Sequence, residues 1–193
     1  MSQEFNVVVL GASGAVGQTM IEILEERNFP VANLFPLASS RSAGETVSFH
    51  GKQVEILDVE SFDWTQAQIG FFSAGGDVSA KWAPIAADAG CVVIDNTSHY
   101  RYDLDIPLVI PEVNPQAIAD FRNRNIIANP NCSTIQMLVA LKLSMMPLGS
   151  AVSMWPRISR FPVQAKRRLK SWRVNLPSCC RVCLQSPRFT ISR

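Results

Sequence analysis

Apolar positions along the first 142 residues follow a repeating rhythm. "FNVVVLGASGAVGQTMIEILEERNFP" opens with a continuous apolar run, Val7 to Leu10, of the kind a parallel sheet buries on both faces. Gly11, Gly14 and Gly17 follow at once, and then Met20, Ile21 and Leu24 recur at helical spacing. Further strand-like runs stand at "NLFPLASSRSAG", "QVEILDV", "IGFFSAGG", "CVVIDNTS" and "NIIANP". "DVSAKWAPIAADAG" reads as a helix stopped at Gly90, and "STIQMLVALK" as another. Strands alternating with helices predict an α/β fold over residues 1–142, a doubly wound Rossmann-type parallel sheet. From residue 143 onward no steady period continues.

Strand, glycine turn and helix in that order supply the setting in which a glycine motif binds phosphate. Backbone N–H groups approach the anion there, and the helix N-terminus adds partial positive charge. The spacing is G-x-x-G-x-x-G rather than the commoner G-x-G-x-x-G, and a tight turn without a ligand is the alternative. At the end of the second strand, where an NAD-binding sheet usually carries Asp or Glu, stand Ser39, Ser40, Arg41 and Ser42. A guanidinium with hydroxyls suits a 2′-phosphate that a carboxylate would repel, so NADP is expected over NAD. The other reading of Arg41 is an ordinary exposed arginine. Ser73 and Gly75, in "SAGG", end a strand where such sheets bind ligands.

Composition adds an anomaly. With 47% hydrophobic residues the chain has ample material for a core. It shows no apolar run of spanning length and no signal-peptide pattern, so a cytoplasmic protein without membrane contact is expected. The net charge of +2 conceals a split: residues 1–142 hold all 16 acidic and 8 of 18 basic residues, whereas residues 143–193 hold the other 10 basic residues and no acid. Such a tail usually signals nucleic acid or membrane. Three of the five cysteines, Cys179, Cys180 and Cys183, sit in it, without a second ligand pair or any histidine to complete a metal site.

Cys132 follows the apolar "NIIA" and the turn "NPN", at the start of the helix "STIQMLVALK". A helix N-terminus favours the nucleophilic thiolate. Cys91 lies within an apolar run and reads as an inert core residue. A nucleotide fold with a cysteine on a strand–helix turn points to thiohemiacetal formation with an aldehyde, then hydride transfer to a nicotinamide.

"VVLGASGAVG", "ASSRSAG", "FFSAGG", "VIDNTSHYRYD", "VIPEVN" and "NPNCSTIQMLVALK" resemble the bacterial NADP-dependent aspartate-semialdehyde dehydrogenases, without a break from about Asn6 to Lys142. The resemblance implies that Cys132 forms an acyl-thioester, that Asn131 helps polarise its carbonyl, and that Arg101 binds the attacking phosphate. It also implies that Ser13, Gly14, Ala15 and Val16, with Arg41 and Ser42, contact NADP. The implied reaction converts aspartate 4-semialdehyde, phosphate and NADP⁺ to 4-aspartyl phosphate and NADPH, run normally toward the semialdehyde in lysine, threonine and methionine synthesis. The N-acetylglutamyl-phosphate reductases share this chemistry; "NTSHYRYD" and "NPNCSTIQ" favour the semialdehyde enzymes.

After Lys142 the likeness stops. The family's substrate domain supplies a substrate glutamine and arginine, a general-base histidine and most of a homodimer interface. None is recognisable, and the two histidines, His50 and His99, lie upstream. Codon logic accounts for the break. Met145–Met146 requires ATGATG, which read one base earlier is xAT-GAT-Gxx and permits "YDA". In the same frame residues 158–166 permit "YQSVSGAGK" and the next stretch, to Cys180, permits "AAIEELAGQFAKLL", which resemble the family's continuation. The expectation is a frameshift near Lys142. It leaves a basic tail over residues 143–193 that is expected to be disordered, quickly proteolysed and without specific affinity for nucleic acid. A non-catalytic NADP-binding protein, or a nucleic-acid binder using the tail, is the competing reading.

Overall fold

The computed structural model describes residues 4–145, with side chains through residue 142. The expectations for the basic tail, its three cysteines and its out-of-frame strings lie outside the described residues.

A six-stranded parallel sheet organises the chain. Strand β1 (Phe5–Leu10) leads through the glycine turn into helix α1 (Ala15–Glu26) and returns as β2 (Val31–Ala38). Next come a two-stranded antiparallel hairpin, β3 (Thr46–Phe49) and β4 (Lys52–Glu55), and the short β5 (Leu57–Asp58). Strand β6 (Ile69–Phe72), helix α2 (Gly76–Asp88), β7 (Val92–Asp95), β8 (Ile126–Ala128) and helix α3 (Cys132–Met145) complete the order. The sheet runs β5-β2-β1-β6-β7-β8. Connections go one way from β1 to β2 and the other way from β6 to β7, so the switch point lies between β1 and β6, the doubly wound pattern.

The apolar run of β1 forms the centre of the core. Val7, Val8 and Val9 are fully buried, in register with Leu34, Phe35 and Pro36 on one side and Ile69, Gly70 and Phe71 on the other. Val8 and Leu10 join Phe72, Trp64, Ala83 and Ile126 on one face, beneath α2. Val7 and Val9 join Ile21, Leu24, Val47 and Phe49 on the other, beneath α1 and the hairpin. Burying both faces is what demands an unbroken apolar strand.

Two details differ from the sequence expectation. "QVEILDV" is not one strand: its first half pairs with β3, and the chain turns at the buried Ile56 before β5 joins the large sheet beside β2. The amide of Ile56 donates to Glu45 O at 2.7 Å and its carbonyl accepts from Gly44 N at 2.9 Å, which fixes that corner. Cys91 sits one residue before β7 rather than within it, still fully buried. Among the described residues no helix is long and apolar enough to cross a membrane.

Candidate active site

Because the sheet is parallel, β1, β2, β6, β7 and β8 all end at one edge, and the segments that follow them meet there. Gly11 to Gly17 follow β1, Ser39 to Ser42 follow β2, Ser73 to Gly75 follow β6, Asn96 to Arg101 follow β7, and Asn129 to Cys132 follow β8. The edge therefore gathers every site residue expected from the sequence.

The glycine turn is built by close backbone approach. Gly11 has φ +93°, and its amide donates to Leu37 O at 2.8 Å. A Cβ on Gly11 would stand 3.0 Å from both Ala74 N and the Ser73 hydroxyl, so the segments after β1 and β6 touch at the switch point. Ser73 fixes its own side by donating its amide and its hydroxyl to Leu10 O, at 2.9 and 3.2 Å. Gly14 caps α1, whose first residues, Ala15 and Val16, are exposed, as is Ser13 before them. No acidic residue stands in that first turn to compete with an anion. Gly75, at φ +109°, caps α2, whose first turn carries Asp77. Arg41 is exposed on the turn after β2, where the amides of Ser42 and Ala43 both donate to Ser39 O.

Cys132 is the first residue of α3, and its thiol is exposed. Asn131 caps the helix: its side-chain oxygen accepts from Ser133 N at 3.0 Å and lies 3.9 Å from the Cys132 sulfur. The same oxygen thus orders the helix start and stands beside the thiol. Cys91 is the opposite case, its thiol pushed up by burial to about 12. Iodoacetamide under native conditions near pH 8 is expected to label Cys132 and spare Cys91, read by peptide mass; equal labelling would contradict this placement of the two thiols.

Arg101 is half-buried beside that turn. Its Nε donates to Asn129 O at 2.9 Å and its Nη2 to Asn96 O at 3.1 Å. Burial pulls the guanidinium below its ordinary value, while Asp95, Cys132 and Tyr102 act in the opposite sense. Asp95, fully buried, is itself engaged by the Ser79 hydroxyl at 2.9 Å, the Thr97 amide at 3.0 Å and the Thr97 hydroxyl at 2.7 Å. Sequence reasoning found Arg101 but missed this support from Asp95, Asn96 and Asn129. The one available signal was that "VVIDN" and "NIIAN" both close on Asn. The "VIPEVN" motif has a structural part: Asn114 ties Ile110 N and Leu108 O by its amide, and Lys142 of α3 donates to the carbonyls of Glu112 and Val113.

Residues 6–121 match the family model for the semialdehyde dehydrogenase NAD-binding domain. The chain is 89% identical over 142 residues to an aspartate-semialdehyde dehydrogenase of Shewanella sp. (strain DB6705), covering 74% of this chain and 42% of that protein. It is 72% identical over 142 residues to aspartate-semialdehyde dehydrogenase 2 of Vibrio cholerae, with the same coverage. A crystal structure of the Vibrio cholerae enzyme II complexed with ASA superposes with a TM-score of 0.73 at 71% identity, covering 74% of this chain and 47% of that one. That of the Candida albicans enzyme with NADP gives a TM-score of 0.65 at 26% identity, covering 77% and 48%. The chain spans less than half the length of these relatives. Through the part they share, it belongs to the aspartate-semialdehyde dehydrogenase family.

Proposed function

We propose that residues 1–142 are the cofactor-binding, nucleophile-bearing half of an NADP-dependent aspartate-semialdehyde dehydrogenase. The observation that carries this reading is the arrival of the glycine turn, the Arg101 guanidinium and the exposed Cys132 at one sheet edge. In this reading the Cys132 thiolate adds to the aldehyde carbon of aspartate 4-semialdehyde. Hydride loss from that carbon leaves an acyl-thioester, with Asn131 beside its carbonyl. Phosphate held by Arg101 then attacks the acyl carbon, the thiolate leaves, and 4-aspartyl phosphate departs. NADP, when bound, accepts the hydride, and the physiological direction reverses each step.

The residues at the edge fit NADP. Gly11 leaves open the space a side chain would fill against Ala74 and Ser73, and the exposed start of α1 offers N–H groups to a phosphate. Ser13, Gly14, Ala15, Val16 and Gly17 supply that turn, with Ser73 and Gly75 opposite. Arg41 and Ser42 would hold the adenosine 2′-phosphate, with no carboxylate between Ala38 and Gly44 to repel it. Titration of the 193-residue chain is expected to show tighter binding of NADP than of NAD. Arg41→Asp is expected to erase that preference, by roughly tenfold or more for a charge-assisted contact turned repulsive. Equal affinity of the unaltered chain for the two dinucleotides would reject the assignment.

The basic tail is, in this proposal, the product of an out-of-frame reading. By the family resemblance, an in-frame continuation would carry the substrate glutamine and arginine, the general-base histidine and the surface on which the family pairs as a homodimer. On this reading residues 143–193 supply neither the family's substrate residues nor that dimer surface.

A further inference from the structure

We propose that Asn96 is a positioning residue for Arg101, cross-linking the ends of β7 and β8 so that the guanidinium is held at the cysteine turn. The inference rests on the reading of Arg101 as the phosphate-binding residue and goes beyond it by naming what fixes that residue in place.

The β7–β8 ladder ends at the pair Asp95↔Ala128. Asn96 and Asn129 are the first residues past it, where two strands diverge into loops with different errands. One loop carries Arg101 and the other carries Cys132. The last main-chain bond between the two strands runs from Asn129 N to Asp95 O at 2.8 Å, and a direct bond from Asn129 Nδ2 to Asn96 Oδ1, 2.6 Å long, adds a side-chain link one residue further on. Both asparagines are half-buried, so solvent competes poorly for that bond. The same two residues then offer their main-chain carbonyls to Arg101, Asn129 to Nε and Asn96 to Nη2. Three residues therefore form one closed ring through three hydrogen bonds: Asn96 side chain to Asn129 side chain, Asn129 carbonyl to guanidinium, guanidinium back to Asn96 carbonyl.

The chemistry of the ring matters as much as its geometry. Neither of these Arg101 bonds goes to a carboxylate, so the guanidinium keeps its charge for an incoming anion. Of its five N–H donors two are spent on the ring and the rest remain for oxygen atoms of a phosphate. The nearby carboxylate, Asp95, is occupied by Ser79 and Thr97. Removing the Asn96 amide leaves both carbonyls in place, each residue still tied by its main-chain N–H to a neighbouring strand, Asn129 to Asp95 O and Asn96 to Phe72 O, but it removes the side-chain link that fixes the spacing of the two carbonyls around the guanidinium. Positional error of this kind costs an anion site more than its loss of contacts suggests.

The test uses the 193-residue chain and reads Cys132 alone, by peptide mass. Labelling rates with anionic iodoacetate and neutral iodoacetamide are compared, because a guanidinium fixed near the thiol favours the anion. Arg101→Gln is expected to lower the iodoacetate-to-iodoacetamide ratio by roughly fivefold, the scale of a unit charge acting through solvent at contact distance. Asn96→Ala is expected to reproduce most of that fall. Asn129→Ala removes the same bond from its other end, and the two substitutions together are expected to add little to either alone. Inorganic phosphate should slow iodoacetate labelling in the unaltered chain and much less in the Asn96→Ala chain. A fall with Arg101→Gln but none with either asparagine variant would overturn the positioning role while leaving the reading of Arg101 intact. No fall with Arg101→Gln would overturn both. Should Asn96→Ala fail to fold by circular dichroism, the Asn129→Ala comparison decides in the same way.

Discussion

On the proposed reading, moving the frame by one base after Lys142 is expected to raise phosphate-dependent NADPH formation from near zero to that of a semialdehyde dehydrogenase. The 193-residue chain places the proposed nucleophile, Cys132, and the proposed phosphate-binding residue, Arg101, at one edge. Acyl transfer needs more than these. His50 sits in the hairpin turn after β3 and His99 on the loop after β7, and on the proposed reading neither is the general base. General acid–base assistance contributes ~10²–10⁴-fold, and correct placement of the reacting groups contributes further factors of at least that order. A chain without both should therefore fall at least ~10⁴-fold below an intact enzyme in phosphate-dependent NADPH formation. Moving the frame by one base should recover that activity, and Cys132→Ser in the recovered protein should abolish it again. Turnover by the 193-residue chain at a rate near an intact enzyme's would show that the tail had been misread. The experiment separates two questions, since the family assignment rests on residues before the break.

Sequence period was a good guide where burial is two-sided and local. Val7 to Leu10 read as a buried parallel strand because every residue in it is apolar, and each is at most 1% exposed. The start of α3 was legible because Pro and Asn before Cys132 announce a turn and Asn131 is a good cap. The β3–β4 hairpin escaped although Thr46 to Phe49 alternate in burial as a strand should. Its two-residue turn is His50–Gly51, both at positive φ, and histidine is an unusual occupant of a position that favours Asn, Asp or Gly. The ring around Arg101 escaped for a different reason. Its bonds join residues 96, 101 and 129, and nothing in the local pattern near either asparagine distinguishes a side chain facing solvent from one facing its neighbour strand. Periodicity reports which face of an element is buried; it does not report which loops meet at the end of a sheet.

Gly17→Ala is expected to damage both folding and cofactor binding, against the usual gain of alanine over glycine in a helix. In an open helix interior that exchange stabilises by ~1 kcal/mol. At Gly17 the added Cβ would collide with Gly11 O and lie 2.8 Å from Gly11 C and 2.9 Å from Ala12 Cα. All three are backbone atoms, so no side-chain rotation relieves the overlap. The carbonyl in the way is also the acceptor for Gly14 N at 3.0 Å, and Gly11 itself is tied to Leu37 O. Relief must come from moving α1 away from β1 or from pulling the turn out of its cradle. The first opens the core where Ile21 and Leu24 pack, and the second displaces the N–H groups proposed to receive the cofactor phosphate. Overpacking of this kind costs ~1–3 kcal/mol and sometimes more, which outweighs the propensity gain. The comparison is Val16→Ala, one residue earlier on the exposed side, which should change stability little. Denaturant midpoints and NADP titrations of the two variants read both effects. An unchanged midpoint and unchanged NADP affinity for Gly17→Ala would mean that the close approach of α1 to the glycine turn, on which the whole cofactor site is built, is not as described.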